Sequence, residues 1–115
     1  MEAEISKALV KFEREYMGRG PEDIRTFIVR DMVLIRLRGV LTPAERQLVK
    51  AEGVELIKQV RAKLLESGRD LLRKAISELT GAEVVSIHSD LSTKTGERVI
   101  LFCMDGDIEA AFATK

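Results

Sequence analysis

The feature that most constrains this chain is the stretch from Thr42 to Thr80, about a third of its 115 residues, written throughout in helical period. It opens on Thr42-Pro43-Ala44-Glu45: a capping threonine, proline at the first helical position and glutamate at the third. It closes on Thr80-Gly81, a usual helical stop. Between these ends Leu48, Ala51, Val54 or Glu55, Ile57, Val60, Leu64, Leu71 or Leu72, Ala75 and Leu79 keep the spacing of one helical face. Charges fill the remaining positions, and Glu52 and Glu55 are placed to pair with Lys58 and Arg61 for tenths of a kcal/mol each. Length is what decides. About 37 residues at 1.5 Å rise would make a straight rod of roughly 55 Å, whereas a domain of this size has a diameter of roughly 35 Å. The helix must bend, with Ser67-Gly68 the first choice and Gly53 the second, or overhang its domain and bury the overhang against another copy. A homodimer is the expectation.

Residues 1–115 read as a single domain, because one apolar core can serve a chain of that length. Hydrophobic residues at 45% and charged residues at 33% place it among folded globular proteins and exclude disorder. Residues 1–41 carry 8 basic and 7 acidic side chains, 42–80 carry 8 and 6, and 81–115 carry 3 and 6, a balance of +1, +2 and −3. That is too mild for a nucleic-acid footprint, and four Phe with one Tyr offer little to stack on bases. The lone Cys103 lies in an apolar run and reads as a buried, reduced thiol. No apolar run approaches the length of a membrane span, and Met1-Glu2-Ala3-Glu4 lacks the basic start of a signal peptide. The expected protein is soluble and cytoplasmic, with no direct membrane insertion.

The flanks of the long helix read as follows. Residues 2–17 form an amphipathic helix with Ile5, Ala8, Leu9, Phe12 and Tyr16 on one side. Gly18-Arg19-Gly20-Pro21 breaks it, either as a plain connector or as an anion site using Arg19. Residues 23–30 and 32–39 are two strands. A register with Ile28 opposite Val33, Thr26 opposite Ile35 and Ile24 opposite Leu37 gives one almost wholly apolar face. The other face pairs Phe27 with Leu34, Arg25 with Arg36 and Asp23 with Arg38, so Phe27, Leu34, Arg36 and Arg38 are the candidate partner interface. Arg30-Asp31 makes a poor two-residue turn, and a four-residue loop in the same register is expected. Residues 82–90 and 97–105 are the second strand pair. Val99-Ile100-Leu101-Phe102-Cys103-Met104 is apolar on both faces, which predicts a central strand covered on both sides, by helices on one and a partner on the other. The tail from Gly106 is expected to fray.

Polar chemistry concentrates in His88-Ser89-Asp90-Leu91-Ser92-Thr93-Lys94-Thr95-Gly96-Glu97. Successive residues on a strand face opposite ways, so His88 and Ser89 diverge while His88 and Asp90 share a face. A nucleophile would have to come from elsewhere in the chain, and one His with one Cys falls short of a metal site, so neither a catalytic set nor a metal or cofactor is expected. The stretch reads as a hairpin loop rich in turn-forming residues. As a binding loop for a small anion or nucleotide it would use His88, Asp90, Ser92, Thr93, Lys94 and Thr95, with Arg19, and with Arg25, Arg36 or Arg38 if they line the same cleft.

Three segments together carry a resemblance: Gly18-Arg19-Gly20-Pro21, the run "VLIRLRGVLTPAE" at 33–45, and "HSDLSTKTGE" at 88–97. They resemble the MpsC-like family of small bacterial proteins, a likeness that spans roughly residues 5–105. The resemblance implies a soluble accessory component of a cation-dependent membrane-potential-generating or inorganic-carbon uptake system, and it carries over no catalytic residue. It also leads one to expect a proline near Asp70, which this chain lacks. The resulting expectation is an α+β fold in the order α-β-β-α(α)-β-β. It has a four-stranded, mainly antiparallel sheet with helices on one face. The expected function is non-catalytic: protein–protein interaction as a homodimer, with a membrane transport complex as the further partner. The alternative is a small-anion or nucleotide sensor built on 88–97.

Overall fold

In the computed structural model, which describes residues 1–113, the elements run α1 (Glu2–Tyr16), β1 (Asp23–Val29), β2 (Met32–Arg38), α2 (Pro43–Lys50), α3 (Val54–Ser67), α4 (Arg69–Thr80), β3 (Val84–Ser92), β4 (Glu97–Met104) and α5 (Ile108–Ala113). The strands make one antiparallel sheet in the order β1-β2-β4-β3. This is the α+β architecture that the periodicities require, with the apolar β4 in the interior of the sheet. The β1–β2 register is the one the alternation dictates: Ile28 faces Val33, Thr26 faces Ile35 and Ile24 faces Leu37.

The two central strands bury every second residue. Val33, Ile35 and Leu37 of β2 and Ile100, Phe102 and Met104 of β4 are buried beneath the helices. Their neighbours Met32, Leu34, Val99, Leu101 and Cys103 stay half-buried on the other face. Ile5, Leu9 and Phe12 of α1, Ile57 of α3, and Leu72 and Ile76 of α4 complete the core. The half-exposure of Cys103 corrects the expectation of a buried thiol, because its side of β4 has no helix above it.

The long helical stretch breaks twice. Thr42 caps α2 with a full capping box: its hydroxyl accepts from the Glu45 N–H at 3.2 Å, and its own N–H donates to Glu45 Oε1 at 2.8 Å. Helix α2 then ends in a Schellman-type turn. Gly53 N donates to Leu48 O at 2.6 Å, Glu52 N donates to Val49 O at 3.2 Å, and Glu52 itself takes φ 64. The second break is the single residue Gly68 between α3 and α4. It is sterically compelled: a side chain there would collide with the Phe12 ring and lie 3.2 Å from Tyr16 Cε1, so α1 can cross only over a glycine. Phe12 and Tyr16 stack at this crossing with centroids 4.7 Å apart. Gly81, at φ 75, ends α4 as its position after Thr80 implied. Bent in this way, the chain spans 49 × 23 × 20 Å.

Four local expectations are corrected. Arg30-Asp31 does make a two-residue turn, with Arg30 at φ 55. The conformation is held from outside: Arg30 N donates to Glu109 Oε2 at 2.6 Å, Glu109 N donates to Arg30 O at 3.0 Å, and Met104 N donates to Asp31 O at 2.8 Å. The tail after Gly106 folds as α5, because Ile108 has a buried place in the core at 2% exposure. Residues 114–115 lie outside the described residues. The buried face of the long stretch is Ile57, Arg61, Leu72 and Ile76, whereas Leu48, Leu56, Val60 and Leu71 are exposed. The two breaks rotate the helical faces against one another, so one continuous period does not describe them. Arg61 pairs with Glu45, not with Glu52 or Glu55, because it points inward one turn after Ile57.

Candidate functional site

Two features stand out beyond the core: the open face of the sheet and a basic cleft at its rim. The register places the open face in rows across all four strands. Val29, Met32, Cys103 and Ser86 form one row, and Phe27, Leu34, Leu101 and His88 the next. The third is Arg25, Arg36, Val99 and Asp90, running from positive to negative across the sheet. Phe27 is 43% exposed and Val29 46%, although both belong to an otherwise apolar patch. The four residues expected at a partner interface, Phe27, Leu34, Arg36 and Arg38, therefore share this face, with the arginines toward one end.

The cleft lies beyond that end. Glu22, Arg36, Arg38, Gly39, Leu41, Arg46 and the turn Thr93–Gly96 with Glu97 line a concavity of about 530 Å³. Its cations are held at different strengths. Arg36 Nη2 donates to Glu97 Oε2 at 3.0 Å, and this bond holds the Glu97 carboxyl below its ordinary range. Arg38 reaches the same oxygen only at 4.0 Å, and Arg46 reaches Glu22 at 3.7 Å. Lys94 makes no ion pair among the described residues.

The structure divides the polar stretch 88–97. Strand β3 continues to Ser92, which leaves a short turn in place of a long loop. Thr93, Lys94 and Thr95 line the cleft. Ser92 supports the turn from the strand end by accepting from Thr95 N at 3.3 Å. His88 and Asp90 do share the open face, but they are not brought together with the turn. The His88 ring nitrogen Nε2 bonds the Ser86 hydroxyl at 3.1 Å, and Asp90 Oδ1 accepts from Leu91 N at 2.9 Å. Arg19 stands one contact away from the cleft. It is spent on the Gly20 and Leu41 carbonyls at 3.4 Å each and on Glu22 at 3.6 Å.

Sequence reasoning missed Arg46 and the buried charges, yet each left a signal. Arg46 sits in the first turn of the capped α2, which fixes it beside the chain entering from β2. Glu13 is one turn after Leu9 and so faces the core, and Arg98 has the buried parity of Ile100 and Phe102. The two meet with Arg98 Nη1 at 3.0 and 3.2 Å from the Glu13 oxygens, and Arg98 Nε donates to Ser89 Oγ at 3.2 Å. Burial raises the Glu13 carboxyl and lowers the Arg98 guanidinium, and their mutual attraction only partly opposes it. Arg61 forks onto Glu45 at 2.7 and 2.8 Å and donates to Val40 O at 2.7 Å. Burial would raise Glu45, but the Arg61 and Thr42 donors outweigh it and hold the carboxyl low. Glu45 thus caps α2 and anchors α3 at once. Among the described residues no group of three or more His, Cys, Asp or Glu is placed to hold a metal ion.

The fold and its two-faced sheet define a small α+β protein with one helical layer and a half-apolar open face. The sequence matches the profile of the family described as "Na+-translocating membrane potential-generating system (MpsC)" over residues 1–106, and the chain belongs to that family. It is similar to the uncharacterized protein YbcI of Bacillus subtilis (strain 168), 46% identical over 110 residues that cover 95% of this chain and 89% of the relative. It is also similar to the uncharacterized protein YrhF of the same organism, 31% identical over 111 residues, 92% of this chain and 88% of the relative. No solved structure matches. Among the described residues no helix is long and apolar enough to cross a membrane.

Proposed function

We propose that this protein is a non-catalytic, cytoplasmic accessory component of a cation-dependent membrane-potential-generating or inorganic-carbon uptake system, and that it acts by binding other proteins as a homodimer. The observation that carries the reading is the open sheet face. Phe27, Leu34, Val99, Leu101 and Cys103 leave an apolar patch where the sheet has no helix above it. A two-fold axis parallel to the strands and lying between two such faces would set Arg25 of one copy against Asp90 of the other and Arg36 against Val99, with the apolar rows alongside. The family description supplies the kind of system. The exposed Leu56 and Val60, one turn apart on α3, offer the dimer a separate apolar stripe for a further protein of that system.

The test is co-purification from native cells of the tagged protein, its Leu34→Lys variant and its Val60→Lys variant. The reading expects a membrane transport protein to be recovered with the wild type, and its loss with Val60→Lys. Recovery of no partner, together with a monomeric mass for the wild type, would end it.

A further inference from the structure

We infer that the cleft between β2, the start of α2 and the turn 93–96 is a binding site for a compact, soluble polyanion carrying two or more phosphoryl groups. Four cations converge there from three separate parts of the chain: Arg36 and Arg38 from β2, Arg46 from α2 and Lys94 from the turn. Two carboxylates line the same space, Glu22 and Glu97, so the cations are in excess by two. The carboxylates also orient the arginines. Glu97 fixes one arm of Arg36 at 3.0 Å, while Arg38 at 4.0 Å and Arg46 at 3.7 Å are held too loosely to use up their donors. Guanidinium forks suit phosphoryl oxygens, which accept two parallel N–H bonds. Thr93 and Thr95 flank the unpaired Lys94 in the lining, and Thr95 Oγ1 accepts from Glu97 N at 3.3 Å.

The shape narrows the ligand class. A concavity of about 530 Å³ exceeds what one inorganic anion fills. Its wall holds Leu41 and no aromatic side chain, so it offers a nucleobase no aromatic platform. The excess of cations excludes a metal ion as the occupant. What fits is a chain of phosphoryl groups read by its charge. Arg36 and Arg38 belong both to this cleft and to the open face, whereas Arg46 and Lys94 lie outside the strands that form that face, so the test is made at Arg46 and Lys94.

The experiment is calorimetric titration of the full chain with inorganic triphosphate and pyrophosphate at low ionic strength. Variants are Arg46→Gln, Lys94→Gln and, as a control outside the cleft, Lys58→Gln. Saturable one-to-one binding is expected, weakened about tenfold or more by Arg46→Gln and by Lys94→Gln and unchanged by Lys58→Gln. Both cleft positions are surface residues, so all variants should melt with the wild type, and the dimer mass should persist. Three results would overturn the site: no saturable binding of either probe at millimolar concentration, an equal loss in Lys58→Gln, or sedimentation with phosphatidylglycerol vesicles without triphosphate binding. The last would assign the cations to a lipid surface. Loss of the dimer with polyphosphate binding retained would leave this site standing and defeat the partner reading alone.

Discussion

The two faces of one sheet are made from the same strands and meet opposite fates. Ile100 and Leu101 are adjacent on β4, yet Ile100 is fully buried in the core with the helices while Leu101 is only half-buried. The covered face even encloses a charge pair, Glu13 at 1% exposure and Arg98 at 2%. The open face puts Phe27 at 43% into water. Hydrophobicity therefore does not decide which face is inside. The helices cover one face, and there Glu13 of α1 meets Arg98 of β4. The apolar residues left over form the face that the proposed dimer would bury.

The sharpest way to break this contrast is to remove one member of the sealed pair. Glu13→Ala leaves Arg98 charged and enclosed, and a loss of about 3–5 kcal/mol is expected in denaturant unfolding. The double variant Glu13→Leu with Arg98→Met should recover most of it, because two apolar groups need no partner. If the double variant is as unstable as the single, the pair does more than balance its own burial.

The adjacent residues of β4 give the direct comparison. Ile100→Ala should cost about 2–5 kcal/mol. Leu101→Ala should cost less than about 1 kcal/mol when measured dilute enough to keep the chain monomeric. Equal losses would mean that the open face is already packed within one chain. Next in size is the α1 crossing: Gly68→Val forces a side chain into the Phe12 ring and should cost about 1–3 kcal/mol by overpacking. The smallest effect is a gain. Glu52→Gly relieves a left-handed residue at the α2 end and should raise stability by about 0.5 kcal/mol, read as an upward shift in melting temperature.

Much of this fold was legible because period and caps agree. The 2-residue alternation of β1 and β2 gives both their register and the identity of the open face, and Thr42-Pro43-Ala44-Glu45 forms the expected cap. What escaped depends on contacts far apart in sequence. Arg30-Asp31 turns tightly only because Glu109 grips it from 79 residues away. The tail is helical only because Ile108 finds the core. At the candidate site, Arg36 and Arg38 with Thr93, Lys94 and Thr95 were within reach of pattern reading. For Arg46 the cap gave only its place in the first turn of α2, and its place in the cleft follows from where α2 docks. His88 and Asp90 attracted notice as chemistry-bearing types, but the extension of β3 to Ser92 holds them on the sheet and away from the turn.

The proposed dimer would bury the open face against a second copy, and mass in solution tests that most directly. Light scattering at micromolar protein should give the wild type twice the 12.9 kDa of one chain. Leu101→Lys should give 12.9 kDa with an unchanged circular dichroism spectrum. A wild type at the single-chain mass, or a dimer that Leu101→Lys leaves intact, would contradict it.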